Sequence, residues 1–130
     1  MATLTLTDAT FNQTVADNDI VLVDFWAAWC GPCRSFAPTF EAGSEQHPDV
    51  AFGKVDTEAQ QQLARTYSIS SIPTLMAFKE QMPVFSQAGA LNPTQLETLV
   101  QALKTLDMDV VRARLAAQAA APPASQPTAP

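Results

Sequence analysis

Cys30 and Cys33 are the only cysteines in the chain, and two residues separate them. Residues three apart are neighbours on one face of a helix, so the two sulfurs can meet across a single turn. Such a pair can cycle between a dithiol and a disulfide. Pro32, inside the gap, suits the first turn of a helix, where its missing N–H costs nothing. The spacing therefore predicts a redox-active pair at the beginning of a helix.

The predicted helix start gives the two thiols different roles. Cys30 precedes the helix, where the macrodipole and the free N–H groups favour a negative thiolate. We expect Cys30 to attack a substrate disulfide and to form a mixed disulfide. Cys33 lies one turn further along and is expected to face inward and to act as the resolving thiol. Its attack on the Cys30 sulfur releases reduced substrate and leaves a Cys30–Cys33 redox disulfide.

A structural site is the alternative for two cysteines at this spacing. A zinc site needs four ligands, and besides the cysteines the chain offers only His47 and carboxylates. Haem attachment would need a histidine at the position of Arg34. We therefore expect no metal and no bound cofactor. The remaining alternative to a redox-active pair is a pair of cysteines without any chemical function. His47 is expected to be a loop residue without a catalytic part.

The composition is typical of one globular domain with some excess. Of the 130 residues, 47% are hydrophobic and 15% are charged. The formal net charge is -6 and the basic residues are scattered, so a nucleic-acid partner is not expected. The first residues do not resemble a signal peptide, and no apolar run approaches membrane-spanning length. We therefore expect a cytoplasmic protein, in which paired cysteines are more often catalytic than structural.

The segments that must position the cysteines alternate between strands and helices. Residues 20–26 form a nearly continuous apolar run, which is typical of a strand buried on both faces. This run leads directly to Cys30. The element order β-α-β-α-β-α-β-β-α predicts an α/β sheet with a parallel part and a terminal antiparallel hairpin. The five strands are predicted at 3–7, 20–26, 50–56, 75–78 and 84–88.

The C-terminal region has a different composition from the predicted domain, residues 1–106. In the segment 107–115, apolar residues repeat at helical spacing, which is compatible with a helical extension. Residues 116–130 are mostly Ala, Gln and Pro and carry no charge. We expect this tail to be largely disordered, with any helix ending before Pro122.

The segment from Val23 to Cys33, Val-Asp-Phe-Trp-Ala-Ala-Trp-Cys-Gly-Pro-Cys, resembles the active-site segment of the thioredoxin family. Three further segments agree with the family pattern in order and spacing. The resemblance covers about residues 3–106 and implies the thioredoxin fold, a central five-stranded mixed sheet in the order 1-3-2-4-5 flanked by four helices. The three segments are Val55-Asp56, Ile72-Pro73-Thr74 at the family's cis-proline, and Gly89-Ala90-Leu91 before the last helix.

The resemblance implies a monomeric protein-disulfide reductase without a bound cofactor. Its partners would be disulfide-containing proteins and thioredoxin reductase, which supplies electrons from NADPH. Gly31-Pro32 goes with reductants in this family, whereas a histidine in the gap would stabilise the thiolate and make the disulfide more oxidising. This dipeptide counts against a disulfide oxidase or isomerase. A rival from another class is a thioredoxin-fold binding or holdase module in which the thiols are secondary.

Asp24 resembles the family's buried aspartate beneath the cysteines. Its strand neighbours are apolar, so burial should raise the pKa of its carboxyl and let it accept the proton of Cys33, directly or through water. Many members place a lysine near this aspartate from the third strand. An ungapped alignment puts Phe52 at that position and Lys54 two residues later on the same strand face. We therefore expect no firm Lys54–Asp24 contact, and a higher pKa for Asp24 than in a lysine-paired member.

The resemblance also implies a docking surface for substrate around Cys30. Pro73 is expected to be cis, which leaves the N–H and C=O of Ile72 free to pair with an extended substrate segment. Gly89 is expected to allow close backbone approach. For Trp29, packing in the core is the alternative. The expected docking rim consists of Trp29, Gly31, Pro32, Ile72, Pro73, Gly89 and Ala90.

Overall fold

A computed structural model describes residues 2–120 and contains five strands and five helices within that range. The strands are β1 (Thr3–Thr5), β2 (Ile20–Trp26), β3 (Ala51–Asp56), β4 (Thr74–Lys79) and β5 (Met82–Ala88). The helices are α1 (Phe11–Asp17), α2 (Gly31–Gln46), α3 (Gln61–Thr66), α4 (Pro93–Thr105) and α5 (Met108–Ala120).

The strands form one sheet in the order β1-β3-β2-β4-β5. β3 is parallel to both β1 and β2, whereas β4 is antiparallel to β2 and β5 is antiparallel to β4. The predicted parallel part with a terminal antiparallel hairpin is confirmed, and so is the strand order that the family resemblance implies.

β2 lies in the middle of the sheet because both of its faces are apolar. Leu22 packs on one face with Phe40 of α2 and Val100 of α4. Val21 and Val23 pack on the other face, in a second cluster that includes Phe11 and Leu63. Alternate residues of a strand point to opposite faces, so one continuous apolar run serves both clusters. The carboxyl end of β2, which leads to Cys30, is thereby held on two sides.

The prediction of four helices is wrong by one, because α5 follows the predicted domain. The Asp107 carboxylate accepts hydrogen bonds from the N–H groups of Asp109 (2.9 Å) and Val110 (3.4 Å), and it thus stabilises the first turn of α5. Met108 is buried, and Arg112 forms an ion pair with Glu80 in the β4–β5 turn. These contacts fasten the beginning of α5 to the sheet.

The C-terminal boundary of the fold differs from the boundary in composition. α5 includes residues 116–120, which the composition assigns to the tail. The rest of that tail, residues 121–130, lies outside the described residues. The division into a domain at 1–106 and an extension stays a prediction.

Lys79, the last residue of β4, is a buried cation that caps α4. Its Nζ donates to the carbonyl oxygens of Leu103 (2.6 Å), Leu106 (2.9 Å) and Lys104 (3.4 Å). The last carbonyl groups of a helix have no partner within the helix and form the negative end of its dipole. Lys79 therefore holds the end of α4 against the sheet, directly before α5 begins.

We expect Lys79→Met to lower the free energy of unfolding by about 2–3 kcal/mol, since methionine fills much of the space but leaves the buried carbonyl groups without a donor. Urea denaturation of the full chain measures this change. Arg65→Met, which removes an exposed cation at the end of α3, is the control and should change stability by less than about 0.5 kcal/mol. Equal stabilities for Lys79→Met and the wild type would contradict the capping role.

Candidate active site

Cys30 is the N-cap of α2, as predicted. Its N–H donates to the carbonyl oxygen of Ala27 at 3.2 Å, so the connection between β2 and α2 is a tight turn. The Cys33 N–H donates to the Cys30 sulfur at 3.2 Å. A helix N–H aimed at this sulfur stabilises a thiolate on Cys30 once the disulfide opens. Pro32 lies in the first turn of α2, where the sequence predicts it.

Cys30 and Cys33 form a disulfide in this structure. Both residues are buried, with exposed fractions of 4% for Cys30 and 2% for Cys33. A neighbouring residue marks the surface, because Trp29 is 67% exposed. This exposure excludes core packing as the role of Trp29.

The Ile72–Pro73 peptide bond is cis, as predicted. The Ile72 carbonyl oxygen lies 3.7 Å from the Cys30 sulfur. The Gly89 N–H donates to the Pro73 carbonyl oxygen at 2.8 Å. Gly89 has a φ of +103°, a left-handed conformation that glycine adopts without strain. Three segments that are distant in sequence therefore meet around Cys30.

The members of the predicted docking rim differ in exposure. Pro73 is buried beneath the surface, while Gly31 and Ile72 are partly exposed. The rim members with the largest exposure are Trp29, Pro32, Gly89 and Ala90.

Asp24 is buried in β2, with 1% of the residue exposed. Neither of its carboxylate oxygens has a hydrogen-bond partner within residues 2–120. This burial raises the pKa of the Asp24 carboxyl from 3.8 to about 7, and the nearby Lys54 ammonium lowers it by less than burial raises it. A carboxyl with this pKa can accept and release a proton near neutral pH.

Lys54, and not Phe52, is the cross-strand neighbour of Asp24. The parallel register pairs Asp24 with Lys54 and Leu22 with Phe52, so Lys54 is the residue of β3 directly opposite Asp24, which the sequence does not predict. The register depends on Phe52 and Leu22 packing in one core cluster, which an ungapped count along the sequence does not detect. Neither Asp24 oxygen has a partner in the described range, so Lys54 forms no ion pair with it. The Lys54 Nζ lies 5.0 Å from the centroid of the Trp26 ring.

Arg34 is a residue of this site that the sequence does not single out. Its Nη1 donates to the carbonyl oxygen of Ala28 at 2.8 Å. The bond joins the first turn of α2 to the connection that carries Trp29. No motif marks this contact, since it depends on the path of the β2–α2 connection. Arg34 thus helps to hold the surface beside Cys30 in place.

His47 lies at the other end of α2 from the cysteines, where it is the C-cap. It is buried, and its ring contacts Glu97 Oε1 (2.7 Å) and Lys104 Nζ (3.0 Å) on α4. α2 has 16 residues, so roughly 24 Å of helix lies between His47 and Cys30. This separation excludes a zinc site made of His47 and the two cysteines.

Residues 2–120 contain neither of two features that would indicate other functions. No group of three or more His, Cys, Asp and Glu side chains there is arranged to hold a metal ion. None of the helices in this range combines the length and the apolar character needed to cross a membrane.

Comparisons with known proteins agree with this geometry. The family model for thioredoxin matches residues 2–104. The putative thioredoxin 2 of Streptomyces coelicolor is 53% identical over 119 residues, which cover 92% of this chain and 89% of that protein. This match therefore includes most of α5. A thioredoxin of Alicyclobacillus acidocaldarius is 46% identical over 74% of this chain and 92% of its own length.

Solved structures show the same similarity. A mutant thioredoxin from Halobacterium salinarum superposes with a TM-score of 0.75 at 33% identity and covers 80% of this chain and 92% of its own. For the Plasmodium falciparum thioredoxin the TM-score is 0.71 at 33% identity, with 75% of this chain and 96% of that chain covered.

Proposed function

Because the chain belongs to the thioredoxin family of protein-disulfide reductases, we propose that Cys30 is its nucleophile, Cys33 its resolving thiol and Asp24 its proton acceptor. The protein is a thiol-disulfide oxidoreductase that cycles between a dithiol and a disulfide. The observation that carries the proposed roles is the position of the Cys30 sulfur at the beginning of α2, where it accepts the Cys33 N–H.

In the first step the Cys30 thiolate attacks one sulfur of a substrate disulfide. A bond forms between the Cys30 sulfur and that sulfur, the substrate S–S bond breaks, and the second substrate sulfur leaves as a thiolate. The N–H groups at the beginning of α2 favour the thiolate over the thiol, which raises the fraction of reactive Cys30 at neutral pH.

In the second step Cys33 resolves the mixed disulfide. Its thiol loses a proton to the Asp24 carboxylate, directly or through water, and its sulfur attacks the Cys30 sulfur. The mixed disulfide breaks, the remaining substrate sulfur leaves as a thiolate, and the Cys30–Cys33 disulfide forms. Two electrons pass from the dithiol to the substrate. The pKa of about 7 supports Asp24 in this role, because the carboxylate is then present at neutral pH and basic enough to take a proton.

The docking rim presents the substrate to Cys30. An extended segment would hydrogen-bond to the backbone of Ile72, whose carbonyl oxygen lies 3.7 Å from the Cys30 sulfur. The ring of Trp29 is exposed. A substrate that covers this apolar ring would remove it from water, which stabilises the complex.

The spent disulfide must be reduced again for turnover. We assign this step to a thioredoxin reductase, which would pass electrons from NADPH to the Cys30–Cys33 disulfide. We propose that the reaction takes place in the cytoplasm and that this chain acts as a monomer. The match to the thioredoxin family supports a reductase and disulfide-containing proteins as partners in general.

Reduction of insulin disulfides tests the proposed function. With NADPH and thioredoxin reductase, the full chain should accelerate NADPH oxidation and insulin precipitation in proportion to its concentration. A parallel assay with dithiothreitol removes any dependence on the source of the reductase. If neither assay is faster with the chain than without it, the proposed reductase function is wrong, and a binding or holdase module becomes the better hypothesis.

Equilibration with glutathione measures the reduction potential of the Cys30–Cys33 pair. This potential separates a reductant from a disulfide oxidase or isomerase.

A further inference from the structure

A cavity of about 170 Å³ adjoins the docking rim, between the loop 68–71 and the end of β5. Its lining is unusual for this chain because it is dominated by hydroxyl groups. We call it the hydroxyl pocket, and its polar lining residues are Tyr67, Ser68, Ser70, Ser71, Thr74, Ser86 and Gln87.

Backbone and side-chain hydrogen bonds hold the walls of the hydroxyl pocket in place. The Thr74 hydroxyl donates to the Ser71 carbonyl oxygen at 2.5 Å. The Ile69 N–H donates to the Ala64 carbonyl oxygen at 2.9 Å, which fixes the loop to the end of α3. On the opposite side, Thr74 of β4 pairs with Ala88 of β5. These bonds hold the loop and the end of β5 on either side of the pocket.

The lining favours uncharged groups that form hydrogen bonds. Ser70, Ser71 and Ser86 are exposed, so a ligand can reach their hydroxyl groups. The lining contains no carboxylate, ammonium or guanidinium group. A charged side chain would lose hydration there without gaining a counter-charge, and an apolar one would cover hydroxyl groups without pairing them.

The hydroxyl pocket borders the docking rim through two neighbouring residues of the chain. Ser71 directly precedes Ile72, whose carbonyl oxygen lies 3.7 Å from the Cys30 sulfur, and Ala88 directly precedes Gly89 of the rim. An extended substrate advances roughly 3.3 Å per residue. A segment that places its cysteine at Cys30 and pairs with Ile72 would bring a residue one or two positions away to the pocket.

We propose that the hydroxyl pocket is a specificity subsite that takes an uncharged hydrogen-bonding side chain (Ser, Thr, Asn or Gln) one or two residues from the reactive cysteine of the substrate. This inference rests on the proposed docking rim. It assigns a substrate preference to Ser71 and Ser86, which stand outside the cysteine motif.

Peptides with one internal disulfide test the subsite. They are identical except for Asn, Leu, Asp or Lys at one position, placed in separate sets one and two residues before and after a cysteine. The reduced full chain is mixed with each peptide, the reaction is quenched with acid, and reduced peptide is quantified by chromatography. In the matching set, the rate constant for the Asn peptide should exceed that for Leu by about fivefold and those for Asp and Lys by about tenfold, consistent with one net hydrogen bond.

Variants connect this preference to the pocket. In Ser71→Ala/Ser86→Ala the Asn-to-Leu ratio should fall to about 1, whereas Thr98→Ala, an exposed hydroxyl on α4, should keep the wild-type ratio. Ser86→Asp should make the Lys peptide react faster than the Asp peptide. The subsite would be wrong if the wild type reduced all four peptides of every set at rates within twofold of one another. It would also be wrong if the preference for Asn survived the double substitution. Either result would leave the proposed reductase function intact. If the wild type reduces none of the peptides, the proposed function fails and the subsite with it.

Discussion

The Cys30→Ser variant is expected to lose roughly 10³-fold or more of the rate of insulin reduction, because a serine hydroxyl is almost entirely protonated at neutral pH and is a poor nucleophile toward sulfur. The substitution keeps the size of the side chain at the N-cap of α2. Loss of activity would therefore reflect the chemistry of the sulfur and not a cavity. The dithiothreitol-coupled assay measures it without involving a reductase.

The matched variant is Cys33→Ser, which keeps the nucleophile and removes the resolving thiol. It should form the mixed disulfide with substrate on Cys30 and then stop. Non-reducing electrophoresis followed by peptide mass spectrometry should find the cross-link at Cys30, and Cys30→Ser/Cys33→Ser should trap nothing. Wild-type turnover by Cys30→Ser, or a cross-link formed equally well without Cys30, would contradict the assigned roles.

Asp24→Asn is expected to raise the free energy of unfolding at pH 8 by about 2–4 kcal/mol. The folded chain holds the Asp24 carboxyl at a pKa of about 7 against 3.8 for an exposed group. Each unit of difference corresponds to about 1.4 kcal/mol, so about 4 kcal/mol is the upper bound. Asparagine has nearly the same shape and carries no charge that would have to be buried.

The pH dependence distinguishes this cause from ordinary repacking. Below pH 3.8 the Asp24 carboxyl is protonated in both the folded and the unfolded wild type, so its contribution to stability is fully present. Between that pH and about 7 only the unfolded chain releases the proton, and the wild type loses stability relative to the variant. The advantage of Asp24→Asn should therefore grow from about pH 4 to pH 7 and then level off. Urea denaturation at several pH values measures it.

Asp19→Asn is the control for this experiment, because Asp19 is exposed. Its stability should follow the wild type at every pH, within about 0.5 kcal/mol. An advantage of Asp24→Asn that is equally large at pH 4 and pH 8 would exclude ionisation of Asp24 as its origin.

The same substitution should slow the resolving step by about 10²-fold at pH 7, since Cys33 loses its proton acceptor. In the wild type the rate of this step should fall as the pH drops below 7, because protonated Asp24 cannot accept a proton. Single-turnover release of the second substrate thiol measures the step separately from the attack by Cys30. A wild-type rate for Asp24→Asn would leave the carboxyl with no part in proton transfer.

Local sequence was sufficient to predict the centre of the site. The spacing of Cys30 and Cys33, with Pro32 between them, predicts a helix start, and the Cys30 sulfur lies at the N-terminus of α2. The apolar run 20–26 predicts a strand buried on both faces, and β2 lies in the middle of the sheet. These features depend on neighbouring residues and on periodicity, so they can be read along the chain.

Features that depend on contacts between distant segments could be predicted from the sequence only in part. The family resemblance identifies Pro73 and Gly89 as members of the site, but the chain gives no distance between them and Cys30. The register between β2 and β3 places Lys54 beside Asp24, which the sequence alone does not predict. α5 was marked only by helical spacing, and its attachment depends on Met108 and on the ion pair between Arg112 and Glu80.

The chemistry of this protein can be predicted from local sequence: two thiols lie one helical turn apart, at the beginning of a helix that follows a buried strand. The environment of those thiols, by contrast, depends on the tertiary fold. The Asp24 carboxyl has no hydrogen-bond partner in the described chain, and the loop 68–71 meets the end of β5 beside the docking rim. Both depend on strand register and on the packing of segments far apart in sequence, which are set by the free energy of the whole core and not by any local pattern.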